Sequence, residues 1–134
     1  MKINDFLKLT QSRTGKNTKH RKPRQEERTI QISCVSWFRY TYPQFLIFSV
    51  PNGGSRNAIE ALNLKKEGAL AGVSDLIAVA NHKVLFIEVK KPKGKQQQTQ
   101  KDFQCRVEAL GFEYVVCYGL DDFIAKINKW LCVK

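Results

Sequence analysis

The sequence predicts an α/β domain with a mixed β-sheet flanked by helices. Three observations predict it. Apolar residues recur at helical and at strand spacing in the order α-β-α-β-β-α-β-α. Two strand-type runs, one on either side of Asn81-His82, read as a hairpin spanning Val73 to Lys90. A helical pattern and one more apolar strand follow. A hairpin continued by a strand–helix–strand unit requires antiparallel and parallel neighbours in one sheet, with helices on its faces.

The elements follow in chain order. Residues 1 to 9 hold a small apolar cluster, Ile3, Phe6, Leu7 and Leu9, at helix-like spacing. Thr10 to Arg24 has no apolar residue and carries Arg13, Lys16, Lys19, His20, Arg21, Lys22 and Arg24. It reads as a flexible basic arm that either folds over nucleic acid or is solvated. The domain division expected is thus an arm over 1–23 and a folded domain over 24–134. From Glu26, Ile30, Cys34 with Val35, and Trp37 with Phe38 recur at helical intervals to Tyr40, and Pro43 stops the helix; Trp37 belongs to the core. Phe45 to Val50 is a strand and Pro51-Asn-Gly-Gly54 a turn. Ser55 is the expected cap of a helix that carries Arg56, Lys65 and Lys66 and ends at Gly68. After the hairpin come a basic loop, Lys91-Pro-Lys93-Gly-Lys95, and an amphipathic helix over Gln96 to Leu110. Phe103, Val107 and Leu110 share one face of that helix, and Gly111 is its C-cap. Tyr114 to Tyr118 is a buried strand, and Asp121 caps a last helix to Leu131.

Composition narrows the functional classes. At 134 residues, the chain is long enough for one domain with a core that needs no disulfide or metal staple. There are 23 Lys and Arg against 12 Asp and Glu, a net charge of +11 that argues for a polyanionic partner. Cys34, Cys105, Cys117 and Cys132 are scattered, lack C-x-x-C spacing and mostly occupy apolar periodic positions, as buried free thiols of a reducing compartment do. No stretch is apolar enough to span a membrane and no signal-peptide core is present, so a soluble, cytoplasmic protein is expected. With only His20 and His82, a multi-histidine metal site has too few ligands, and His82 lies in the hairpin turn.

The hairpin carries the chemistry. Val84 to Ile87 is a core run, and Glu88 and Lys90 stand where it emerges, with Asp75 at the start of the preceding strand. Residues two apart on a strand share a face, so Glu88 and Lys90 point together while Val89 points into the core. Two hard carboxylates suit Mg²⁺ or Mn²⁺, and a lysine beside them suits a phosphate or a coordinated water.

An acid on one strand, Glu-x-Lys at the end of the next, then a helix and a strand, resembles the PD-(D/E)XK nuclease superfamily with its restriction-endonuclease-like core. Within it the closer likeness is to the VRR-NUC domain family. The likeness runs from about Glu27 to Phe123. It rests on Glu27-x-x-x-Gln31 six residues before Trp37, Val-Pro-Asn-Gly-Gly-Ser-Arg56, Leu64-Lys-Lys-Glu-Gly68, Gly72-Val-Ser-Asp75, Phe86-Ile-Glu-Val-Lys90, and Gln100 eleven residues before Gly111. The resemblance implies that Asp75, Glu88 and the carbonyl of Val89 bind the metal. It implies that Lys90 orients the attacking water or offsets charge on the scissile phosphate. Gln100 is the family's glutamine on the helix behind the lysine, though a polar residue at a helix start reads the same way. Glu27 is the accessory acid of the first helix, with Glu26 its neighbour in sequence. The usual proline before the aspartate is Ser74 here, which relaxes the backbone and removes no ligand.

The function expected is a Mg²⁺- or Mn²⁺-dependent DNA endonuclease. Arg56, Lys65, Lys66, Lys91, Lys93 and Lys95 are its candidate DNA contacts. Small stand-alone members resemble phage or bacterial enzymes that resolve branched DNA such as Holliday junctions. Symmetric cleavage of a four-way junction needs two active sites, hence a homodimer. The alternatives are a basic DNA-binding accessory protein with an inert core, and a nuclease acting on flaps or linear DNA.

Overall fold

The computed structural model describes residues 23–51 and 57–133. The apolar cluster of residues 1 to 9, the basic arm up to Lys22, most of the glycine-rich turn, Ser55 and Arg56 lie outside the described residues. The elements are α1 (Pro23–Thr41), β1 (Leu46–Ser49), α2 (Ala58–Lys66), β2 (Leu76–Ala80), β3 (Lys83–Lys90), α3 (Gln98–Ala109), β4 (Glu113–Tyr118) and α4 (Leu120–Trp130). This is the order the sequence predicts. α1 starts three residues before the expected Glu26, because Pro23 fits the first position of a helix, where no N–H bond is lost.

The sheet has the order β1-β2-β3-β4. β1, β2 and β3 are antiparallel, and β3 and β4 are parallel neighbours joined by the α3 crossover. Leu85, Ile87 and Val89 of β3 face a core shared with Cys34, Trp37 and Phe38 of α1 and Phe123, Ile127 and Trp130 of α4. Phe86, Glu88 and Lys90 alternate onto the opposite face. There Phe103 of α3 packs edge-on against Phe86 and Tyr114, with ring centroids 5.7 and 6.2 Å apart.

Where β2 ends decides where the site lies. Leu76↔Ile87 is the last pair between β2 and β3, whereas β4 stays paired with β3 through Lys90↔Tyr118. From Glu88 onward β3 is therefore covered on one edge only. Its other edge is open for Asp75 to fill.

Five expectations require correction. The cap of α2 is Asn57, whose Oδ1 accepts the Glu60 N–H at 2.8 Å, so the helix begins later than a Ser55 cap would place it. α3 starts at Gln98, not Gln96, because Gln100 Oε1 accepts the Gln97 N–H at 2.8 Å and fixes the first turn there. At its other end Leu110 is the C-cap, turned off the apolar face and 76% exposed. α4 is preceded by Gly119 at φ +94, not capped by Asp121; it is Asp122 whose Oδ2 accepts the Tyr118 N–H at 2.8 Å. All four cysteines are free, but only Cys34 and Cys117 are buried. Cys105 lies two residues from the inward Phe103, over half a turn away around α3, and Cys132 follows the C-cap of α4 in a left-handed conformation. Among the described residues no helix is long and apolar enough to cross a membrane.

Candidate active site

Asp75 is held by backbone on two sides. Its carbonyl accepts the Val50 N–H at 3.0 Å, which prolongs the β1–β2 ladder, and its Oδ2 accepts the Val89 N–H at 2.8 Å. The aspartate thus replaces the β2 backbone that β3 lacks beyond Ile87. Within a strand residue the N–H and C=O point to the same edge, so the Val89 carbonyl also faces Asp75. The Lys90 carbonyl faces the other edge and accepts the Gly119 N–H.

Glu88 and Lys90 are both buried, at 1% and 6% exposure, on the face of the sheet that α3 covers. Lys90 Nζ lies 3.7 Å from Glu88 Oε1. The same oxygen accepts from Gln100 Nε2 at 2.8 Å. Gln100 works at both ends, since its Oε1 takes the Gln97 N–H while its amide nitrogen steers Glu88. Glu88 Oε2 has no donor and is the one buried side-chain polar atom without a partner among the described residues. Burial pushes the Glu88 carboxyl up to about 8; the nearness of Asp75 adds, Lys90 opposes, and Glu27 contributes a smaller upward push. Two facing carboxylates with no donor between them need a shared proton or a cation.

The helix α3 that brings Gln100 is seated by Gly72. A Cβ there would lie 2.1 Å from the Thr99 carbonyl oxygen, and φ is +80. Only glycine lets the backbone before Asp75 touch the first turn of α3. Buried Ser74 donates its hydroxyl to the Leu76 carbonyl at 3.2 Å, fixing the entry to β2 without the proline. Tyr114, behind Glu88, accepts from Gln96 Nε2 at 3.3 Å; burial, then the charge of Glu88, raises its pKa. The sequence signals Gly72 only as part of Gly72-Val-Ser-Asp75. For Gln96 and Tyr114 it offers no signal, because an aromatic in an apolar run reads as core.

Of the residues singled out from sequence, Asp75, Glu88, Val89, Lys90 and Gln100 come together, and Glu27 is the α1 acid whose charge reaches Glu88. Lys91, Lys93 and Lys95 follow directly, with Gly94 N–H closing a turn onto the Lys91 carbonyl at 2.9 Å and Lys93 in the left-handed region at φ +64. Lys65 and Lys66 sit in the last turn of α2, a helix with no buried residue, and are not gathered around Glu88.

The donor set fits a hard divalent cation. Glu88 Oε2 is an orphaned buried oxygen, Asp75 is near enough for its charge to raise the Glu88 carboxyl, and the Val89 carbonyl lies on the strand edge that Asp75 fills. Among the described residues no three His, Cys, Asp or Glu side chains converge. The protein's share of a coordination sphere is then two carboxylates and one carbonyl, and water would complete it, as Mg²⁺ prefers.

The model of a family described as VRR-NUC domain matches residues 15–121. A solved structure described as a VRR_NUC domain protein aligns with a TM-score of 0.64 at 25% sequence identity, covering 80% of this chain and 88% of that chain. No curated protein matches the chain.

Proposed function

Because the chain belongs to the VRR-NUC domain family, a family of nuclease-type domains, we propose that it is a divalent-metal-dependent DNA endonuclease. Asp75, Glu88 and the Val89 carbonyl hold Mg²⁺ or Mn²⁺. When bound, such an ion lowers the pKa of water and neutralises charge developing on the phosphate. Lys90 orients the attacking water or offsets charge on a nonbridging oxygen. Gln100 keeps Glu88 turned so that Oε2 stays available, and Glu27 adds negative charge from α1. Lys91, Lys93 and Lys95, with Arg56, Lys65 and Lys66, contact DNA backbone, and residues 1–23 act as a basic arm attached to the nuclease domain of 24–134. The observation that carries the reading is the donorless Oε2 of Glu88, buried against a second carboxylate with a lysine on the same strand face. An inert accessory protein has no use for such a pair, which costs folding energy until a cation or proton is supplied.

The substrate proposed is branched DNA, four-way junctions among them, cut by a homodimer in the cytoplasm. What favours it is the +11 charge, which engages phosphate tracks without reading bases.

The test substitutes Asp75→Asn, Glu88→Gln and Lys90→Ala. Each is expected to abolish cleavage with Mg²⁺ while leaving DNA binding with Ca²⁺ largely intact, since affinity comes mainly from phosphate contacts elsewhere. Calorimetric Mn²⁺ binding should be lost in the first two variants. Cleavage at the wild-type rate by any of the three sinks the assignment.

A further inference from the structure

Tyr118 stays open to solvent beside Lys90. It ends β4, is 41% exposed, and is the register partner of Lys90 in the parallel ladder. Register partners on neighbouring strands project to the same face about 5 Å apart. Its side chain therefore leaves the sheet beside that of Lys90, at the rim of the site. It takes no part in the aromatic cluster of Phe86, Phe103, Phe112 and Tyr114 that seats α3.

Tyr118 is also fixed in place. Its backbone N–H donates to Asp122 Oδ2. Lys126 Nζ stands 5.6 Å from the ring centroid, tethered by Asp122 Oδ2 at 2.9 Å and by the Val116 carbonyl. The result is an aromatic plate with an ammonium anchored against it, on rigid elements rather than on a loop. An exposed ring held in place is what an unpaired base stacks on. In an intact duplex each base is already stacked between its neighbours and cannot lie on such a plate.

We propose that Tyr118 forms a stacking subsite for an unpaired or unstacked nucleobase next to the scissile phosphate, with Lys126, itself paired with Asp122, holding the ring in place. The proposal rests on the nuclease reading above and adds that the cut lies beside a base outside the stack, as at a branch point or the start of a flap.

Binding in Ca²⁺ is measured by anisotropy on a labelled flap and on a fully paired duplex, for wild type, Tyr118→Ala and Tyr118→Phe. Tyr118→Ala should weaken flap binding about 5- to 150-fold, the range for loss of one stacked base, and leave duplex binding unchanged. Tyr118→Phe keeps the ring and should bind the flap like wild type. With wild-type protein, 2-aminopurine at successive unpaired positions of the flap should show quenching at one of them that Tyr118→Ala abolishes, a readout independent of overall affinity. Unaltered flap binding by Tyr118→Ala, equal losses on flap and duplex, a matching loss in Tyr118→Phe, or no position-specific quenching overturns the subsite. If wild type cleaves with Mg²⁺, that failure is the subsite's alone; if wild type binds neither DNA, the nuclease reading falls with it.

Discussion

Glu88 is the residue on which the site turns, because its surroundings favour the neutral acid. Its ordinary carboxyl value of 4.5 moves to about 8, first by burial and then through Asp75. The sign of the stability effect follows from linkage. A carboxyl raised on folding contributes stability that is fully present below 4.5 and is lost as pH rises through about 8. The metal-free protein should therefore lose a few kcal/mol across that window. Glu88→Gln should flatten this part of the pH profile of thermal unfolding, and Mg²⁺ should restore wild-type stability at the alkaline end by taking the place of the proton. An unaltered slope in Glu88→Gln would show that the carboxyl is not the group responsible. Gln100 acts on the same atom pair from behind. Gln100→Ala frees Glu88 Oε1 and leaves the Gln97 N–H without its acceptor, so cleavage should fall about 10- to 100-fold, as for groups that orient metal ligands, with DNA affinity retained. At this scale much was legible in advance. Asp75, Glu88, Lys90 and Gln100 are chemically out of place in apolar runs or stand at motif spacing. The partners Gln96 and Tyr114 are not, since their use depends on which element packs over them.

The elements place those residues by differences in length. β2 stops pairing at Leu76 while β4 continues to Tyr118, and this stagger opens the edge of β3 that Asp75 fills. Hairpin, crossover and strand order could be read from periodicity, because apolar spacing records which faces are buried. Helix ends are less legible, because several residues near each end can serve as cap and the choice of Asn57, Gln97 and Gly119 depends on the backbone path and on which bond closes the first turn. Gly72 makes the clearest element-scale test. Gly72→Ala forces Cβ against the Thr99 carbonyl and strains a left-handed φ, a cost of about 2 kcal/mol or more. It should lower both thermal stability and cleavage by displacing Gln100. Gly68→Ala is the matched control: φ is +108, but nothing lies within 4 Å of the added Cβ. It should cost stability through strain alone and leave cleavage per folded molecule unchanged. If both variants cleave alike, the seating of α3 by Gly72 has no bearing on the site. The hairpin turn offers the opposite sign. His82 sits at φ +55, so His82→Gly should raise stability by up to about 1 kcal/mol without altering activity.

For the whole molecule, charge and size set how DNA is engaged. A +11 surface on 134 residues gives sequence-independent affinity that falls steeply with salt. Lys2, Lys8, Arg13, Lys16, Lys19, Arg21 and Lys22 all precede Pro23, where α1 begins, so deleting residues 1–22 removes that charge and keeps every described element. The truncated protein should bind DNA more weakly with a shallower slope of log K against log salt; an unchanged slope would mean that the arm does not touch DNA. Shape preference is a separate matter, because linear duplex offers one phosphate track to a compact cationic surface, whereas a junction offers several. A dimer carrying two active sites gains from engaging several tracks at once, since the second engagement is effectively intramolecular. Excess unlabelled linear duplex should therefore displace a labelled four-way junction poorly at near-physiological salt, and light scattering on the same sample should report a dimer. Both readouts are needed, since a monomer that preferred junctions would owe the preference to an unstacked base and not to two sites. Equal competition by linear DNA would defeat the branched-substrate proposal and leave metal-dependent cleavage through Asp75, Glu88 and Lys90 untouched.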